Sequence, residues 1–105
     1  MGRFVRGDVV LAPVRIDAKS GPKVRPCVVV STAGSSSLIV YPVSSRPSAG
    51  TSSVPISLDD FSCGGLDLFQ DSYLLISTKC RITTREIIGK KGHLLDEFVA
   101  ANIRR

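Results

Sequence analysis

Apolar and polar positions along this chain fall into short blocks with two different periods. Residues 7–14 (GDVVLAPV) read as a first strand, opened by a Gly-Asp turn and rich in β-branched side chains. Pro13 has no amide hydrogen to donate, so it predicts an edge or a bulge near that strand's end. Turn chemistry at Ser20-Gly21-Pro22 closes the next loop. Arg25-Pro26 then opens a continuous apolar run over 27–30, whose length and valine content favour a buried strand over a helix. A turn over 31–37 (STAGSSS) leads to a third strand at 38–43 (LIVYPV), followed by a Ser/Pro/Gly-rich loop over 44–53. Residues 54–58 (VPISL) alternate like a short strand, 59–68 with its Cys-Gly-Gly is a connection, and 71–76 (DSYLLI) is a fifth strand.

After that the period lengthens. Thr83-x-x-Glu86 is a capping box, in which the threonine hydroxyl accepts the third helical N–H and the glutamate reaches back. Gly89 stands where a left-handed residue would end that short helix. Residues 96–103 (DEFVAANI) put Phe98, Val99, Asn102 and Ile103 at helical spacing. Acids stand in the first turn and Arg104-Arg105 in the last, both favourable to the helix dipole. Five strands followed by one short and one terminal helix predict a mainly β (α+β) fold, either a small barrel or a strongly twisted antiparallel sheet. A length of 105 residues fits one domain spanning the whole chain. Burial of roughly 65% of the unfolded surface at that size needs no covalent staples.

Charge changes the picture more than overall composition does. The net charge of +5 suits an anionic partner. Seven basic residues lie between Arg3 and Arg46 against only Asp8 and Asp17. The stretch from Pro47 to Thr78 has no basic residue and four acids, and from Lys79 onward the chain is basic again. Two basic segments flanking an acidic middle would form one cationic face if the fold brings them together. Trp is absent and aromatics make up 6%, so broad stacking platforms for bases are few. Cys27, Cys63 and Cys80 are odd in number and lack C-x-x-C spacing, which fits reduced thiols in a cytoplasm. With no apolar leader at the N-terminus and no run approaching ~20 apolar residues, the expectation is a soluble, cytoplasmic protein.

Familiar catalytic patterns are missing. Gly64-Gly65 belongs to neither a dinucleotide fingerprint nor a phosphate-binding loop. His93 is the single histidine, no G-x-S-x-G accompanies it, and its place before Leu94 suits packing or capping near a helix start. Carboxylates are too scattered for a two-metal site, so neither metal nor cofactor is expected. What remains is Arg25 at a strand start and Ser44-Ser45-Arg46 at the end of another strand.

Those remaining residues sit in a longer pattern. GDVVLAPV…GPKVRPCVVVS, then YPVSS, then GLDLFQDSYLLISTKCRIT and GKKGHL, is similar to the MazF/PemK family of toxin ribonucleases over nearly the whole chain and in the same order. The resemblance implies an SH3-like small barrel of about five to seven strands with added helices (the CcdB/PemK-like fold), and a homodimer. It implies a cognate acidic antitoxin and metal-independent, sequence-specific cleavage of single-stranded RNA. It carries the catalytic arginine onto Arg25 and the companion hydroxyl, most often Thr, onto Ser44. An acid in the fifth-strand block falls on Asp71, although Phe69 stands where some members place a partner Arg. Lys19, Lys23, Arg46, Lys79, Arg81 and Arg85 are the candidate phosphate contacts.

Elementary chemistry supports the same residues. The 2′-hydroxyl of RNA can attack the neighbouring phosphate in line, a nucleophile that DNA lacks. Negative charge then gathers on the phosphoryl oxygens, for which a guanidinium is a rigid two-donor fork. Two other readings stay open at this point: an RNA-binding barrel without catalysis, and a CcdB-like gyrase poison that acts by binding protein.

Overall fold

The pairing of β1 (Asp8–Val14) and β2 (Lys23–Thr32) is the hub of the architecture, seen in a computed structural model that describes residues 4–15, 21–34, 36–44, 53–64 and 72–103. The chain continues through β3 (Ser37–Ser44), β4 (Val54–Ile56), β5 (Phe61–Gly64), β6 (Ser72–Leu74), β7 (Cys80–Thr83) and β8 (Gly89–Leu94) to a terminal helix, α1 (Asp96–Asn102). Single 3-10 turns, Leu58–Asp60 and Thr84–Glu86, stand before β5 and β8. Every strand pair is antiparallel. The spatial order is β4-β6-β3-β2-β1-β8-β5, with β7 also on β3, and the sheet curls into a half-barrel carrying one C-terminal helix.

The continuous apolar run in β2 is explained by two cores, one on each face of the sheet. Val28 and Val30 join Val9, Tyr41, Val43, Ile56, Phe61, Leu74, Leu94 and Ile103 on the first face, where Phe98 and Val99 of α1 close the cluster. Cys27 and Val29 join Val10, Ala12, Val14, Leu38, Val40 and Ile82 on the second. Alternating side chains of one strand therefore feed both layers, which a strand with one wet face cannot do.

Pro13 is paired with Val24 of β2, while the ladder from β1 to β8 ends at Leu11↔Gly89. The proline thus occupies a part of β1 that has a neighbour on one side only, so its missing donor costs no ladder bond. The bulge of β1 falls instead between Val9 and Val10.

The sheet is larger than the sequence pattern foretold, because β5, β7 and β8 are strands that the periodicity did not separate from loops and helix. The capping box forms, with the Thr83 amide donating to Glu86 Oε1 at 2.8 Å, yet it supports a single 3-10 turn. The Ile88 amide donates to the Leu11 carbonyl at 2.7 Å, and the unpaired edge of β1 recruits the residues that follow. Gly89 accordingly opens a strand rather than ending a helix, and left-handed backbone occurs among the described residues only at Gly7, Gly34 and Gly64.

Helix α1 begins after Leu95, whose amide donates to the Asp60 carbonyl at 2.8 Å, and carries Asp96 and Glu97 in its first turn. Its C-terminal end is held by Arg6, which donates from its guanidinium to the Ile103 carbonyl. The expected pair Arg104-Arg105 lies outside the described residues. Among the described residues no helix is long and apolar enough to cross a membrane.

Candidate active site

Strand β2 carries Arg25 into the fold half-buried, two residues before the fully buried Cys27. Its Cα partner is Ala12 of β1, which places it on the second face with Cys27, Val10 and Val14. Burial raises the Cys27 thiol to about 12; the nearby Cys80 pushes the same way, and the Arg25 guanidinium opposes both. Arg25 Nε is shielded from solvent and has no hydrogen-bond partner among the described residues. A buried, unpaired N–H on a charged group is costly, and such a group is well placed to accept an anionic ligand.

Ser44 ends β3 half-buried, and its Cα partner is Tyr73 of β6. The ladder between β2 and β3 runs Val29↔Val40, Val28↔Tyr41, Cys27↔Pro42, after which β3 turns to β6. The pairing ends at Cys27↔Pro42, and Arg25 and Ser44 each lie two residues beyond it along their own strands. Two residues some 20 positions apart in sequence thus stand just past the end of one ladder, on adjacent strands.

The candidate phosphate contacts divide. Lys23 is exposed and pairs with Val14, on the same side of β2 as Arg25. Arg81 pairs with Ile39, whose side chain packs on the first core, so Arg81 projects from the opposite face. Lys79 is exposed just before β7, and Arg85 is exposed in the second 3-10 turn. The described residues therefore do not gather all the basic positions beside Arg25. Asp71, Lys19 and Arg46, and Phe69 with them, lie outside the described residues.

Two features escaped the sequence reading. Asp8 is fully buried, accepts the Val5 amide at 2.9 Å, and lies 2.7 Å from His93 Nδ1 and 3.2 Å from Lys90 Nζ. Burial works against its ionisation, but the Val5 amide, His93 and Lys90 outweigh that and hold the carboxyl below its ordinary 3.8. An ionised carboxylate only accepts, so Nδ1 carries the imidazole proton. His93 sits within β8, not at a helix start, and its partner is a residue 85 positions away that no local pattern links to it. The second feature is a pocket of about 280 Å³ beside Tyr73, lined by Pro55, Ile56, Ser57, Asp60, Ser72 and Tyr73. Its serines, acid and proline follow no periodic pattern along the chain that would signal it.

Fold and site together define a small curled antiparallel half-barrel whose second face carries a half-buried arginine. The chain belongs to the PemK-like, MazF-like toxins of type II toxin-antitoxin systems, matching that family over residues 5–105. Compared individually with curated proteins, the sequence gives no significant match. Membership makes the protein the toxin partner of an antitoxin.

Proposed function

We propose that this toxin is a metal-independent endoribonuclease that cuts single-stranded mRNA at specific sequences and so arrests translation and growth. The observation that carries this reading is Arg25, a half-buried guanidinium whose Nε has no partner among the described residues, on the strand next to the one that Ser44 ends, within a chain of the PemK/MazF family. The substrate supplies its own nucleophile: the 2′-hydroxyl loses its proton to a base and attacks the adjacent phosphorus, a cyclic phosphate forms as the P–O5′ bond breaks, and the departing 5′-oxygen takes a proton from water. Arg25 neutralises the charge that builds on the non-bridging oxygens, and the Ser44 hydroxyl donates to the same group. Arginine is a poor proton donor, since a guanidinium holds its proton far more tightly than the other basic side chains. Its work is therefore electrostatic, and Asp71 is our candidate for accepting the 2′-proton. Because the nucleophile is internal, the chemistry calls for neither metal nor cofactor.

The working form in this reading is a cytoplasmic homodimer. The antitoxin contributes an acidic segment that orders itself over the cationic face and occupies the site. Purified, antitoxin-free protein incubated with mixed-sequence RNA in excess EDTA should cut it while leaving matching DNA intact. Arg25→Ala should slow cutting by about 100-fold or more, the usual loss when one preorganised charge-stabilising donor is removed. A folded sample that cuts no RNA across diverse sequences sinks the reading. RNA binding without cutting would then favour the silent RNA-binding alternative. DNA breaks with captured gyrase would favour the gyrase poison.

A further inference from the structure

The pocket beside Tyr73 takes no part in that scheme, yet the sheet places it next to the site. Tyr73 is the Cα partner of Ser44 on one side and of Pro55 on the other. The row Ser44–Tyr73–Pro55 crosses three adjacent strands on one face, and neighbouring strands lie ~4.8 Å apart. A nucleotide following or preceding one held at Ser44 therefore reaches the Tyr73 ring without leaving the sheet surface. Resting on the ribonuclease reading, we propose that this pocket is a base-reading subsite, and that the base it takes is guanine.

The lining argues for a base rather than a phosphate. Tyr73 and Pro55, paired across β6 and β4, contribute an aromatic ring and a pyrrolidine ring to the lining, and single-stranded bases stack on aromatic rings. The Asp60 carboxyl group shares the lining and offers its oxygens as hydrogen-bond acceptors to a base edge. That acceptor is held in place. Its Oδ2 accepts from the Ser57 amide at 2.9 Å and from the Ser57 hydroxyl at 3.5 Å. The Asp60 amide donates to the Ser57 carbonyl at 3.0 Å, and the Asp60 carbonyl receives the Leu95 amide at the start of α1. At about 280 Å³ the pocket falls just under the ~300–1,000 Å³ of drug-sized sites, so it has room for one planar group.

A fixed carboxylate discriminates among the four bases. Guanine presents two adjacent donors, N1–H and N2–H, to a single two-oxygen acceptor. Uracil offers one N–H flanked by two carbonyls that the carboxylate repels. Cytosine and adenine each present an amino donor beside a ring-nitrogen acceptor. Only guanine gives the carboxylate two donors and no opposing lone pair on the edge it meets.

The test compares wild-type protein with the Asp60→Asn and Tyr73→Leu variants on a random-sequence RNA, with the cut ends mapped by sequencing. Asn keeps an acceptor for the Ser57 amide, so the turn survives while the charge is removed. Wild type should show guanine at one position flanking the cut, and Asp60→Asn should relax that preference by roughly tenfold or more. A second arm needs no variant: inosine in place of that guanine removes only the N2 amino group, and wild type should cut it roughly tenfold more slowly. Cutting with no guanine preference, or inosine cut as fast as guanine with an unchanged motif in Asp60→Asn, overturns the subsite and leaves the ribonuclease reading intact. Wild type that cuts no RNA overturns both.

Discussion

Asp8 and Arg25 show how burial gives a single charge its role. Both are drawn below the surface by β1 and β2, but Asp8 finds a full set of partners whereas Arg25 Nε finds none among the described residues. The first arrangement is structural: one carboxylate ties the Val5 turn to β8. Its lowered pKa fixes the direction of its pH dependence. The contribution is fully present above the unfolded carboxylate value, near ~3.9, and is lost as pH falls through the lower folded value. Asp8→Asn should cost about 1–3 kcal/mol near neutral pH. The gap between variant and wild type in urea melts should close as pH is taken below about 4. A gap that stays constant across that range would show that the charge of Asp8 contributes nothing. Arg25 is the opposite case, a shielded Nε with no partner among the described residues, and in the proposed reaction it is the group that meets the phosphate.

At the scale of elements, strands β5 and β8 meet at a contact that admits no side chain. Gly64 has φ +75 and faces Gly92 across the ladder. A Cβ there would come within 2.6 Å of Gly92 Cα and collide with the Lys91 carbonyl, both of them backbone. Gly64→Ala should therefore lower stability by about 2–4 kcal/mol, combining left-handed strain with a clash that no rotamer relieves. Hydrogen exchange should accelerate across β5 before the rest of the sheet. Gly21→Ala is the control, because no described residue lies within 4 Å of a Cβ at that position, and its melt should stay close to wild type. Equal effects of the two substitutions would show that the close approach at Gly64 does not constrain the fold. The same scale explains the capping box. Thr83 and Glu86 were legible as a helix start, and their bonds are made, but the open edge of β1 outcompeted helical continuation after one turn.

For the whole molecule, the question is which basic residues share a face. Alternation in β2 puts Lys23 on the side of Arg25, whereas pairing of Arg81 with Ile39 sends it to the other. If RNA lies along the second face, Lys23→Ala should weaken binding and flatten the salt dependence by about 0.7 in slope, the value for one phosphate contact on a single strand. Arg81→Ala should leave both nearly unchanged. Titration of a non-cleaved RNA at several salt concentrations separates the two. A larger loss from Arg81 would place the nucleic-acid path on the first face.

Periodicity and punctuation alone determined the mainly β class, the positions of β1, β3 and α1, and the two-sided burial of β2, since each depends on neighbours within one element. The resemblance of local blocks was enough to single out Arg25 and Ser44. Register was not legible, because hydrogen bonding between strands depends on which edges are left open after the others have paired. That competition turned 89–94 into a strand, joined Asp8 to His93 over 85 positions, and put Arg81 on the face away from Arg25. It also assembled the Tyr73 pocket from three segments whose residues carry no shared spacing. The sequence specified which chemistry was available; the curl and register of the sheet decided which groups could act together.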